Sequence, residues 1–156
     1  MTLEAASLEG ERAPVLVRFE AVFGRRFAAR RDAPFRLELE GDVGGVGRLA
    51  ALELRVSATT AVDDGVLDLQ LPGGVEAENA LLRSLEANAM VRSAEARNPG
   101  FVRLRLAPFS AEQSAPVPVP LHWQASGTVT GLGVVAYPEA DPDQMTVLAP
   151  REWNVP

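Results

Sequence analysis

Apolar and polar residues alternate with a period of two along most of this chain, the pattern of strands that bury one face and wet the other. Val15, Val17 and Phe19 share one face of the first run, and Arg18 and Glu20 share the other. Leu37 and Leu39 repeat the pattern against Arg36, Glu38 and Glu40, as do Leu52, Leu54 and Val56 against Glu53, Arg55 and Ser57. Asp63-Asp64-Gly65 carries turn chemistry, after which Leu67, Leu69 and Leu71 alternate with Asp68 and Gln70. The two runs flanking that turn predict a long hairpin or its Greek-key equivalent. Further strands are predicted at 90–97, 101–106, 117–123, 128–137 and 145–148, punctuated by Asn98-Pro99-Gly100, Ser126-Gly127 and Asp141-Pro142-Asp143.

The period changes once, between Gly74 and Asn88. Ala77 and Leu81 are four apart, Leu82 and Leu85 three apart, and residues 76–87 contain neither Pro nor Gly, which predicts a helix of about three turns. Glu76 and Glu78 lie where they favour the positive end of its dipole, and Asn88 suits the left-handed position that ends many helices. In Pro116-Val117-Pro118-Val119-Pro120-Leu121-His122-Trp123, prolines spaced by two remove N–H donors from one side of the strand only. That predicts an edge strand whose Val117, Val119, Leu121 and Trp123 still face the core. Together these elements predict an all-β fold, an immunoglobulin-like antiparallel β-sandwich of about nine strands with one short α-helix in a crossover, over residues 14–156 after a flexible tail at 1–13.

Composition narrows the function. A chain of 156 residues suits one domain with a sizeable core. No stretch approaches the ~20 apolar residues of a membrane span, and residues 1–12 lack the apolar segment of a signal peptide, so neither membrane insertion nor export is expected of the chain as written. With no Cys there is no disulfide, thiolate zinc site or cysteine nucleophile. All 15 basic residues are Arg, which removes lysine chemistry, and a net charge of −6 disfavours nucleic acid as a partner.

Candidate chemistry is sparse. His122 is the single histidine and alternates with core residues, so it is expected on the solvent side. Asp63-Asp64 and Asp141-Pro142-Asp143 lack the spacing of a calcium loop and read as turns. The glycine-rich stretch from Gly41 to Gly47 lacks the features of a phosphate cradle and reads as a mobile loop joining strands. Arg25-Arg26-Phe27-Ala28-Ala29-Arg30-Arg31 is the strongest local charge feature, either a solvated connection or a patch for acidic partners. No catalytic, cofactor-binding or metal-ligating residue is assigned, no cofactor is expected, and the chain reads as a non-enzyme.

The order of elements from Leu52-Glu53-Leu54-Arg55-Val56 onward resembles the C-terminal receptor-binding domain of the alpha-macroglobulins, large thioester protease traps and complement components. The matching pattern runs through Gly65-Val66-Leu67-Asp68-Leu69-Gln70-Leu71-Pro72-Gly73-Gly74-Val75, the single helix, and Phe101-Val102-Arg103-Leu104-Arg105-Leu106. It continues through 117–123 to Val134-Val135-Ala136-Tyr137-Pro138-Glu139, which looks like the family's tyrosine-rich penultimate strand, and a closing strand ending in Asn154-Val155-Pro156. The resemblance covers about residues 48–156. It implies a sandwich module at the end of a large multidomain protein, of animal or, given the Ala-rich, Lys-free composition, bacterial kind. In animal members two helix lysines meet a clearance receptor; here that segment holds Glu78 and Arg83, and the thioester motif Cys-Gly-Glu-Gln is absent.

By that analogy, Glu76, Glu78, Arg83 and Glu86 form a helix face offered to a protein partner or to neighbouring domains, where the plainer alternative is a solvated face. An exported parent would place the domain in the periplasm or outside the cell; a complete reading frame would leave it in the cytoplasm. The rival reading is an unrelated immunoglobulin-like envelope or surface module binding protein or carbohydrate, which a row of exposed aromatic residues would favour.

Overall fold

Three strands whose alternate residues are Leu, Val and Phe form one layer: β1 (Phe35–Asp42), β2 (Leu49–Ala58) and β6 (Ser114–His122), in the order β1-β2-β6, all antiparallel. The computed structural model describes residues 32–156, so the strand predicted at 15–20, the tail at 1–13 and the cluster Arg25 to Arg31 lie outside the described residues. The second layer is a five-stranded antiparallel sheet of β3 (Gly65–Gln70), β4 (Val91–Asn98), β5 (Phe101–Leu106), β8 (Gly133–Pro138) and β9 (Thr146–Leu148), in the order β4-β5-β3-β8-β9. A two-stranded ribbon pairs β7 (Gly127–Gly131) with β10 (Arg151–Val155). Between the layers one core joins Leu54, Val56, Val117 and Leu121 to Leu67, Leu69, Leu104 and Val134, all essentially inaccessible. This is an all-β sandwich of immunoglobulin-like type.

The pairing corrects the predicted hairpin. β2 pairs with β1 and β6, whereas β3 pairs with β5 and β8, so Asp63-Asp64-Gly65 carries the chain from one sheet to the other. The crossing is fixed by Val62 and Phe109, which exchange backbone hydrogen bonds of 2.9 and 2.8 Å, and by Phe109 standing edge-on to Phe35 at 6.0 Å between centroids. The Greek-key alternative is therefore the observed one. The hairpin of β4 and β5 through Pro99-Gly100 is as expected, and the glycine-rich stretch joins β1 to β2.

Ten strands form among the described residues, two more than the eight predicted there. The run at 128–137 divides because Leu132 adopts φ 51 between Gly131 and Gly133, handing the chain from the ribbon to the five-stranded sheet. The closing strand expected from the resemblance is β10, and β9 stands before it as a separate strand, so Tyr137 sits on the third strand from the end rather than the penultimate one.

The helix α1 spans Asn79–Glu86, shorter than predicted. Its intended first turn is held elsewhere: Ala77 donates its N–H to the Pro99 carbonyl, Val75 is buried, and Glu78 is the extended N-cap residue. Leu81 and Leu85 face the core. Asn88 does not turn left-handed. Its Nδ2 donates to the Pro116 carbonyl and its Oδ1 accepts from the Met90 N–H, both at 2.8 Å, riveting the helix end to β6. The helix thus lies across the gap between β4 and β6, the facing edges of the two sheets.

Candidate functional site

All four residues predicted for the helix-face site are exposed, but they do not act as one surface. Glu76 precedes the helix and Glu78 caps it; both line a groove of about 450 Å³ together with Leu49, Leu81, Pro120 and His122. Leu49 is 63% exposed there, the most exposed large apolar side chain among the described residues. Arg83 lies on the helix away from the groove lining. Glu86 is committed to the fold: its Oε1 accepts the outward N–H of Ala94 on β4 at 2.9 Å. His122 is exposed, as its alternation predicts. Asp64 pairs with Arg92, and Asp141 accepts from Gln144 and closes its own turn, so these carboxylates have local structural partners. Among the described residues no group of three or more His, Asp or Glu is placed to hold a metal ion.

Sequence reasoning missed a second feature, on the outer face of the five-stranded sheet. Register aligns Arg103 of β5, Asp68 of β3 and Val135 of β8 in one row across the sheet. Arg103 grips Asp68 with both edges of its fork, Nε to Oδ1 at 2.7 Å and Nη2 to Oδ2 at 2.8 Å, and the Tyr137 hydroxyl donates to Oδ2 at 3.0 Å. The Asp68 side chain is only 12% exposed, so this bidentate pair is better shielded than the surface pairs Arg55–Glu53 and Arg97–Glu95. Hydrogen bonding to Asp68 holds the Arg103 guanidinium firmly charged against the opposing effect of burial. Burial pushes the Tyr137 phenol up from its ordinary value, and the Asp68 charge adds to that. The triad lines a cleft of about 410 Å³ walled by Phe101, Val147 and Pro150. Alternation places Asp68 and Arg103 opposite the apolar residues of their strands, but the uniformly apolar run before Tyr137 gives it no face, and nothing in the sequence says which strands would be neighbours.

The likeness to known proteins lies in three dimensions. No family model matches the chain and no curated protein matches it. Among solved structures it superposes on trypsin-activated alpha-2-macroglobulin from Escherichia coli, with a TM-score of 0.58 and 17% identity over 78% of this chain. It superposes equally on native alpha-2-macroglobulin from Escherichia coli spanning domain MG7 to the C-terminus, with a TM-score of 0.57 and 17% identity over 81% of this chain. The chain has an alpha-2-macroglobulin-like domain fold. It spans 10% and 24% of those two chains, so the alpha-2-macroglobulin-like fold recurs as one part of a larger protein. At this identity the likeness concerns the fold alone. Among the described residues no helix is long and apolar enough to cross a membrane.

Proposed function

We propose that this chain is a non-catalytic protein-contact module, working as one part of a larger macroglobulin-type assembly. The observation that carries the reading is the alpha-2-macroglobulin-like fold, found as a minor fraction of much longer chains. The contact surface is the helix side of the sandwich, where Glu76 and Glu78 rim the groove and Leu49 stands exposed beside them. Arg83 stands outside that groove, and Glu86 serves chiefly to hold β4. Leu49, beside Val75, Leu81 and Pro120 in the groove, gives a protein partner an apolar contact that gains from burial. The carbohydrate reading finds little support: Phe35, Phe109, Trp123 and Trp153 are buried, and Phe101 and Tyr137 are half-buried, which leaves no exposed stacking row among the described residues.

A photo-crosslinking residue at Ser84, which is exposed on the groove lining, introduced into the protein as its own gene encodes it, tests this reading. A discrete adduct with a protein or a neighbouring domain is expected, and Glu76→Arg with Glu78→Arg should weaken it at least tenfold. An adduct indifferent to both charge reversals, or none, contradicts the helix-side surface.

A further inference from the structure

The outer faces of the two sheets differ in chemistry. Away from the core, the three-stranded sheet presents Arg36, Glu38, Glu53 and Arg55, a solvated surface. The five-stranded sheet instead presents Phe101, Val135, Tyr137 and Val147, all half-buried. Beneath them Val66 is 3% exposed and Met145 8% exposed, although neither belongs to the central core. A small water-excluding layer therefore exists where an antiparallel sheet with one wet face would carry polar residues. Pro150 and Gln70 close against Gly133 at the floor, where an added Cβ would lie 3.2 Å from Pro150 Cδ and 3.4 Å from Gln70 Oε1.

The polar groups at the centre of this layer are unequally spent. Asp68 receives three hydrogen bonds, two from Arg103 and one from Tyr137, which uses the hydroxyl proton. Arg103 has five N–H donors and gives two of them to Asp68, which leaves three, and one on Nη1 and one on Nη2 lie parallel at the end of the fork. The flanking charges cancel, because Arg97 pairs with Glu95 and Arg105 with Glu139. Asp68 likewise balances Arg103, so the cleft carries no net charge, and its preference rests on the unspent N–H donors of Arg103, which favour an acceptor with two oxygens. We infer that the cleft binds an apolar group carrying a carboxylate, its hydrocarbon against Phe101, Val135 and Val147 and its two oxygens on the free edge of Arg103.

The probe is 3-phenylpropanoate, titrated into the isotope-labelled chain and followed by backbone amide NMR shifts, with 3-phenylpropanamide and 3-phenylpropylamine as neutral and cationic controls. Saturable shifts at residues 101–103, 133–135 and 147–148 are expected, with a Kd on the order of millimolar for so small a ligand. The amide and the amine should bind at least tenfold more weakly. Arg103→Gln should abolish the preference for the carboxylate. Because that variant strips Asp68 of its partner, Val147→Glu provides a second reading: it leaves the Arg103–Asp68 pair intact, adds a like charge to the wall, and should prevent binding. Equal binding of acid and amide, shifts away from the cleft, or unimpaired binding by Val147→Glu would each overturn the inference.

Discussion

At Gly131 the chain passes Pro72 so closely that an added Cβ would stand 2.2 Å from Pro72 Cα, a backbone atom that cannot yield. Gly131→Ala should therefore cost about 3 kcal/mol or more, or prevent folding, as forced overpacking does. Gly73, where an added Cβ would meet nothing within 4 Å, provides the control: Gly73→Ala should change stability by no more than about 1 kcal/mol. Urea denaturation of the two variants compares them directly. Tyr137 offers a second test at this scale, because it is the single tyrosine and its phenolate absorbance titrates alone. Burial first, and the Asp68 charge second, place its midpoint above 10.0, and Asp68→Asn should lower it. A phenol whose native pKa is raised contributes stability that is complete below the unfolded value and is lost as pH climbs through the raised one. Unfolding free energy should accordingly decline above about pH 10 more steeply in the native chain than in Asp68→Asn. None of this is legible in the sequence. Leu132, with φ 51 and fully buried, reads as an ordinary strand residue, and its two flanking glycines do not say that the chain will change sheets between them.

Strands were legible wherever alternation ran uninterrupted, because a two-residue period leaves one way to bury Leu37 and Leu39, or Leu52, Leu54 and Val56. The helix was legible in kind but not in extent, since Leu81 and Leu85 fix its buried face while the tertiary hydrogen bond that the Ala77 N–H donates to the Pro99 carbonyl holds the residues before it out of the helix. The proline strand was the most informative segment. β6 lies at the edge of its sheet with β2 as its strand neighbour, and Pro116 and Pro118 stand opposite Arg55 and Glu53. Its outer rim offers carbonyls without N–H donors, one of them taken by Asn88, so a second strand finds half the ladder missing. Replacing Pro116, Pro118 and Pro120 together by Thr restores three donors and should promote concentration-dependent self-association. Static light scattering at rising protein concentration reads the outcome, and an unchanged monomer mass would mean that this rim is protected by something other than its prolines.

Across the molecule, the organisation that positions both candidate surfaces is the crossing at Asp63-Asp64-Gly65. By sending β3 away from β2, it sets α1 over the facing edges β4 and β6, and it brings β3 between β5 and β8 so that Arg103, Asp68 and Tyr137 meet. The sequence pattern left a hairpin and a Greek-key connection both open, because turn residues terminate a strand without naming its partner. The same limit explains the helix-face residues: Glu76 and Glu78 share the groove with Leu49 and His122 through β2 and β6 contacts that no local spacing records. The measurement that bears most directly on this architecture is a map of cross-strand proton contacts by NMR. Contacts linking Leu54 to Val117 and Leu67 to Leu104 are expected from the register, with none aligning 52–57 against 66–71 as antiparallel partners. A continuous ladder between those two runs would mean a hairpin in one sheet, and both the sandwich and the surfaces built on it would have to be abandoned.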